Sequence, residues 1–143
     1  MNLSPHFTLA EMTFSQEAAR RGIDNTPGPE VVHRLARTAQ GLEAVRIRLG
    51  GAPITVTSGY RCLQLNRSIG SRDDSQHLLG EAADFICPRF GSPTEVAVAL
   101  RDSGIEYDQL ILEFRRWVHI SFGPRRRHEA LTIDEAGPRP MFT

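Results

Sequence analysis

Apolar residues recur at helical spacing over the longest patterned stretch of the chain, from about Pro29 to Leu49. A proline in the first turn and Gly50-Gly51 just past the last apolar residue are typical of a helix start and a helix end, so the pattern predicts one long helix. Arginines fall largely off the apolar stripe. The stripe consists of Val31, Leu35, Thr38, Leu42, Val45 and Leu49.

Shorter helices are predicted from their capping residues. Thr8 heads a capping box that begins one short helix, or two helices broken near Ser15, and this region should end at Gly22. A second capping box begins at Ser92, and the helix that it starts should end at Gly104.

Alternating and β-branched runs predict strands in the remainder of the chain. The two at the C-terminal side are joined by a tight turn at Arg115-Arg116, Leu63–Ile69 is a short helical or irregular piece, and Leu131–Ile133 could add an edge strand. Because helices come first and strands follow with one inserted helix, we expect an α+β fold with a mainly antiparallel sheet flanked by helices. The predicted strands are 54–58, 82–87, 109–114 and 117–122.

No repeat, low-complexity block or domain boundary interrupts the chain of 143 residues. We therefore expect one domain over 1–143, with 1–28 as an N-terminal helical arm packed on it. The stretch 123–143, rich in proline and arginine, is predicted to be a C-terminal tail, and its run Arg125-Arg126-Arg127 to be a solvated turn.

Composition narrows the class of protein. The 17 basic and 17 acidic residues cancel, which argues against a nucleic-acid partner, and the absence of lysine excludes lysine-based catalysis. No stretch approaches the length of a membrane helix, and the first residues do not resemble a signal peptide, so we expect a protein made in the cytoplasm and not inserted in a membrane. We also expect a monomer. If the substrate lies outside the membrane, another factor must release the protein.

Cys62 and Cys87 are interpreted as small buried residues, and a disulfide between them is left open.

The stretch Ser75–Phe85 carries the strongest chemical pattern, S-x-H-x-x-G-x-A-x-D. Small residues around Gly80 allow the backbone to fold back, so that His77 and Asp84 can meet. His119 lies in a strand-like run that can bring a third side chain to the same point. Two imidazoles and one carboxylate, with one position left for water, are a ligand set typical of catalytic zinc, so the sequence predicts a zinc ion here.

A zinc hydrolase also needs a base, and Glu113 is the candidate. If the hairpin loop holds three residues, Glu113 sits opposite Trp117 and Ile111 opposite His119, which puts Glu113 on the His119 face. A two-residue loop would turn Glu113 to the other face. The alternative is a solvated strand carboxylate.

Arg61 and Ser75 are the candidate substrate-binding residues. Arg61 follows a strand end, where its guanidinium could bind a substrate carboxylate or stabilise an oxyanion. Ser75 could donate to a ligand or to substrate. Taken alone, an arginine such as Arg61 is more often a surface charge, and a serine such as Ser75 is more often a turn residue. The other histidines, His6, His33 and His128, lack partners at ligand spacing and are interpreted as surface residues.

Three segments together resemble the M15 family of zinc peptidases: Ser58–Arg61, Ser75–Asp84 and Trp117–Ser121. That family includes D-alanyl-D-alanine carboxypeptidases, dipeptidases and phage L-alanyl-D-glutamate endopeptidases, all acting on peptidoglycan peptides. The opening Phe7–Thr13 resembles a subgroup found in phages and prophages. The resemblance implies a small α+β fold shared with the hedgehog signalling domain and, for a phage enzyme, holin-type release to the cell wall or periplasm.

By position, the resemblance implies that His77, Asp84 and His119 bind Zn²⁺, that Arg61 binds or polarises substrate and that Ser75 supports the site. The chain departs from many members at Arg116, where they carry the catalytic acid. Glu113, six positions before the last histidine, instead resembles the E-F-x-x-W-V-H arrangement of the phage subgroup.

We therefore expect a zinc-dependent peptidase that cuts stem or cross-link peptides of peptidoglycan, as a carboxypeptidase or an endolysin-type endopeptidase. The alternatives are a non-catalytic, zinc-stabilised binding or phage structural module, and a zinc hydrolase acting on other peptides or amides. The sequence leaves open which bond is cut.

Overall fold

The structure is a computed structural model that describes residues 1–141. Within these residues, five helices and eight strands follow one another, with a short 3₁₀ helix at Gln76–Leu79. The helices are α1 (Leu9–Thr13), α2 (Gln16–Arg21), α3 (Pro29–Arg48), α4 (Leu63–Ser68) and α5 (Pro93–Asp102). The strands are β1 (Asn2–Ser4), β2 (Phe7–Thr8), β3 (Thr55–Ser58), β4 (Ala82–Ile86), β5 (Gln109–Glu113), β6 (Trp117–Ser121), β7 (Glu129–Asp134) and β8 (Gly137–Pro140).

The N-terminal arm forms two short helices rather than one. Thr8 caps α1 in a full capping box, and Ser15 caps α2 by accepting from the backbone N–H of Ala18. Asn25 then ties this arm to the end of β3, because its side-chain amide donates to the carbonyls of Thr13 (2.9 Å) and Tyr60 (3.0 Å). The arm is thereby held beside the residues that follow β3.

Six strands form one sheet in the order β3-β4-β6-β5-β7-β8. All neighbours are antiparallel except β5 and β7, so the α+β fold with a mainly antiparallel sheet is confirmed. The long helix and both predicted capping boxes are also confirmed.

The prediction of an edge strand in the C-terminal stretch was wrong. Residues Leu131–Ile133 belong to an interior strand rather than an edge strand, because β8 pairs with β7 on its outer side. Proline, which cannot donate to a ladder, is tolerated in β8 because β8 is at the sheet edge. The arginine run is exposed, as predicted, and Arg127 in addition binds the buried carboxylate of Asp108.

The hydrophobic core packs against one face of the sheet, so the polar residues of the central strands lie on the other face. In β4 the neighbours of Asp84 on either side are core residues, and in β6 the same holds for the neighbours of His119. Because side chains alternate along a strand, Asp84 and His119 project from the face opposite this core. The core residues concerned are Ala83, Phe85, Val118 and Ile120, packed with α3 residues such as Leu35, Leu42 and Val45.

Two further expectations concern the cysteines and membranes. Cys87 is buried, Cys62 is partly buried, and both are free thiols. Within residues 1–141, no helix combines the length and the apolar character needed to cross a bilayer.

Candidate metal centre

His77 is held in one orientation by the turn that carries it. The Ser75 hydroxyl accepts from the backbone N–H of His77 (3.2 Å), and Gly80 ends the turn at a φ of 76°. The ring nitrogen Nδ1 of His77 lies 2.6 Å from the carbonyl oxygen of Gly59. Since a carbonyl only accepts, Nδ1 carries the proton, and the lone pair of Nε2 is left to face Asp84.

Gly59 is required for this contact. A Cβ at this position would lie 2.2 Å from the carbonyl oxygen of Met12, so only glycine lets α1 pack against the chain here. The carbonyl that orients His77 therefore comes from a backbone position fixed by the N-terminal arm.

Asp84 and His119 meet through strand register. They are direct partners in the β4–β6 ladder, and Asp84 Oδ1 lies 2.9 Å from His119 Nδ1 and 3.2 Å from His77 Nε2. One ligand atom from each of the three residues lies within 4.8 Å of the others. All three side chains are buried, so water does little to screen their mutual interactions.

The pKa values in the cluster reflect this burial. Burial lowers the pKa of His77 despite the nearby Asp84 carboxylate. Burial would raise the pKa of Asp84, but the two histidines outweigh it and hold that pKa well below its usual range. Burial opposes a charged His119 as well, yet its hydrogen bond to Asp84 raises its pKa.

The donor geometry fits a metal cation. With Nδ1 of His77 donating to Gly59, its Nε2 lone pair and the Asp84 carboxylate face each other at 3.2 Å, and two acceptors at that distance repel unless a cation lies between them. Two imidazole nitrogens and a carboxylate oxygen are ligands that zinc prefers. The carbonyl behind His77 is the kind of outer partner that fixes the ring of a metal-binding histidine.

Glu113 lies on the same face as the cluster. The strand β5 ends at Glu113, so the hairpin loop is Phe114–Arg116 rather than Arg115-Arg116 alone. Glu113 pairs with Trp117 and Ile111 with His119, which is the three-residue case of the two that the sequence left open. Its carboxylate comes within 3.9 Å of His119 Nδ1 and accepts a 3.0 Å hydrogen bond from the indole of Trp117. Burial and the Asp84 charge raise the pKa of Glu113, so it is not a freely solvated strand carboxylate.

Arg61 lies beside the cluster with unused hydrogen-bonding capacity. Its Nε atom is buried without a partner among the described residues, and its backbone N–H donates to the carbonyl of His77 (3.2 Å). Burial lowers the pKa of Arg61, while the charges of Asp84 and Glu113 raise it. A guanidinium so placed is available to an anionic group that enters the site.

One polar network next to the cluster was missed at the sequence level. Asp108, 1% exposed, accepts from the side chain of Gln76 (2.8 Å) and from both the guanidinium (2.7 and 3.0 Å) and the backbone of Arg127. Gln76 directly precedes His77, so this network braces the turn that holds a candidate ligand. Asp108 and Arg127 are too far apart in the sequence for their pairing to leave a local pattern. The one hint in the sequence is that Asp108 is an acidic residue directly before a predicted strand.

The other histidines lie elsewhere. His6 contacts Glu43 at 2.7 Å, and the ring of His128 stacks on Tyr107 with centroids 4.4 Å apart. Within residues 1–141, the one group of three potential ligands is His77, Asp84 and His119.

Comparison with known proteins relates the chain to a protein family and to a characterised relative. A family model described as Peptidase M15 matches residues 5–121, most of the chain. The chain is also similar to the zinc D-Ala-D-Ala carboxypeptidase of Streptomyces albus G, with 42% identity over 43 residues. That alignment covers 30% of this chain and 17% of the relative.

Proposed function

The chain belongs to the peptidase M15 family, and we propose that it is a zinc-dependent metallopeptidase that hydrolyses peptide bonds of bacterial peptidoglycan. The observation that carries the proposal is the position of Glu113. Its carboxylate lies beside three convergent buried donors, on the same face of the sheet. A site that only stabilised the fold would not need a carboxylate of raised pKa at its rim.

In this proposal His77, Asp84 and His119 hold zinc, which when bound supplies a Lewis acid that polarises the scissile carbonyl and lowers the pKa of water. Glu113 accepts the proton of the attacking water and passes it to the leaving amine. A raised pKa suits that carboxylate to both steps, because it brings the group closer to the operating pH.

Arg61 is assigned to the substrate. Its buried Nε, which has no hydrogen-bond partner within residues 1–141, can bind a peptide carboxylate or the oxyanion that develops during attack. Ser75 positions His77 through the backbone, and its hydroxyl can also donate to substrate.

Peptidoglycan as the substrate is supported by family membership and by the name of the Streptomyces relative, a zinc D-Ala-D-Ala carboxypeptidase. Both a terminal D-Ala-D-Ala bond and an internal stem or cross-link bond are compatible with the proposal. The proposed place of action is the cell wall. The resemblance of the opening segment Phe7–Thr13 to a phage and prophage subgroup supports a phage-encoded enzyme, and phage lysis, phage entry and bacterial wall turnover are all compatible with the proposal.

Digestion of purified peptidoglycan with zinc-loaded protein, read out by product masses, tests the proposal. Glu113→Ala should keep its zinc and lose about 10³-fold in rate, in the range of a lost general base. Glu106→Ala, which removes an exposed carboxylate, should behave as wild type.

Three results would contradict parts of the proposal. Full activity in verified metal-free protein would remove zinc from the mechanism. Hydrolysis of other peptides but not of wall fragments would change the substrate class. A zinc-loaded wild type that cleaves no peptide would favour a non-catalytic, zinc-stabilised module.

A further inference from the structure

A cavity of about 500 Å³ opens beside Arg61, between the N-terminal arm and β3. Its wall includes Phe14 from the arm, Thr57 and Ser58 from β3, and Leu65 and Ile69 from α4 and the residue after it. Cavities of this size are typical of ligand sites. Arg61 lines this cavity, and its guanidinium also interacts electrostatically with Asp84 and Glu113, so the cavity borders the candidate metal centre through Arg61.

Two large apolar side chains that line this cavity are exposed to solvent. Phe14 is 66% exposed and Ile69 is 45% exposed, although they come from distant parts of the sequence. Between them, the floor is the fully buried Leu65. Exposed apolar residues scattered singly need no explanation, but two that converge on one cavity mark a binding surface.

A further wall of the cavity is an open strand edge. Among the strands that the structure describes, β3 is the outermost on its side of the sheet and pairs only with β4. Within residues 1–141, neither Thr57 nor Ser58 makes a hydrogen bond outside that ladder. Their outward backbone groups are therefore available to an extended chain, which is how exposed sheet edges recognise peptides.

The register of β3 has an irregularity at this point. The pairing shifts between Val56 and Ser58, which places Ser58 opposite the candidate ligand Asp84. Bulges of this kind turn a strand locally and occur next to active sites. A peptide along the outer edge of β3 therefore lies one strand away from Asp84 and next to Arg61, which lines the same cavity.

From these observations we infer that the cavity lined by Phe14, Ser58, Arg61, Leu65 and Ile69 is a substrate subsite. It binds an extended peptide segment, with main-chain hydrogen bonds to β3 and an apolar side chain between Phe14 and Ile69. This inference rests on the proposed peptidase function. It makes the N-terminal arm, which contains none of the candidate metal ligands, a determinant of specificity.

Matched substitutions test the subsite through KM. Phe14→Ala and Ile69→Ser should each lower kcat/KM on soluble wall peptides about tenfold through KM, with kcat nearly unchanged, because the lost contacts serve binding alone. The controls are Phe90→Ala and Ile47→Ser, which remove exposed side chains of the same types away from the cavity. Kinetics of all four variants equal to those of wild type would overturn the inference while leaving the peptidase function intact.

A binding measurement separates this inference from the activity. Soluble stem-peptide fragments from digested peptidoglycan are titrated into isotope-labelled wild type and Phe14→Ala, and backbone resonances are followed. Shifts at Thr57 and Ser58 that weaken in Phe14→Ala support the subsite even if no hydrolysis is found. Absence of shifts there, or equal affinity in both proteins, contradicts it.

Discussion

The indole N–H of Trp117 donates to the carboxylate of Glu113 at 3.0 Å, directly across the β5–β6 hairpin. The other side of the same carboxylate comes within 3.9 Å of His119. Trp117 thus fixes the orientation of Glu113, the carboxylate that we assign as the general base. The relationship depends on loop length, because one residue more or fewer would face Glu113 away from His119.

Removal of the indole donor should therefore impair catalysis without disturbing the metal. In Trp117→Phe the ring contact with Phe114 can persist, but Glu113 loses its hydrogen bond. We expect kcat to fall about tenfold, as for one lost hydrogen bond, with zinc affinity unchanged. Steady-state kinetics and zinc titration of the same samples measure both quantities. Wild-type kcat at full zinc occupancy would show that the indole does not orient Glu113.

Zinc should raise the melting temperature of the protein. A ligand at about 1,000 times its Kd adds about 4 kcal/mol to the free energy of unfolding, which corresponds to about 10 °C for a domain of this size. His119→Ala should lose most of this gain, whereas His33→Ala, which changes an exposed histidine outside the ligand group, should keep it. Calorimetry with and without a chelator measures the shift. An equal gain in His119→Ala would place the metal elsewhere.

Much of this site could be predicted because its determinants are local in the sequence. The spacing from His77 to Asp84 spans one turn, and the alternation around His119, together with loop length, sets the face of Glu113. The position of β7 depends instead on its parallel pairing with β5. Parallel strands are not joined by a hairpin, so no turn signal in the sequence predicts this pairing. The bond between Asp108 and Arg127 likewise exists only once β5 and the segment before β7 lie side by side.

The hairpin loop should carry local backbone strain. Arg115 has a φ of 56°, in the left-handed region that disfavours residues with a Cβ, whereas Arg116 is not among the residues with positive φ. Arg115→Gly should therefore be more stable than Arg116→Gly by about 1 kcal/mol. Urea unfolding of both variants measures the difference. If the two variants were equally stable, or Arg116→Gly the more stable, the positive φ of Arg115 would carry no cost in free energy.

The Asp108–Arg127 pair should make stability depend on pH in acid. Hydrogen bonds from Arg127, against the effect of burial, lower the pKa of Asp108 to about 2. A carboxylate whose pKa is lower in the folded state stabilises that state fully above its unfolded pKa, near 4, and loses this contribution as the pH falls through about 2. The contribution is about 2 kcal/mol, from about 1.4 kcal/mol for each unit of pKa.

Asp108→Asn tests this with metal-free protein. At pH 6 the variant should be less stable than wild type, and the gap should narrow by about 2 kcal/mol between pH 5 and pH 2, because only wild type loses a charge at this position. Asp73→Asn, which breaks an exposed pair with Arg67, should change stability little at either pH, since water screens that pair. Urea unfolding across the pH range supplies the values. Parallel pH profiles for wild type and Asp108→Asn would show that Asp108 titrates alike in the folded and unfolded states, so that the pair does not brace the His77 turn through charge.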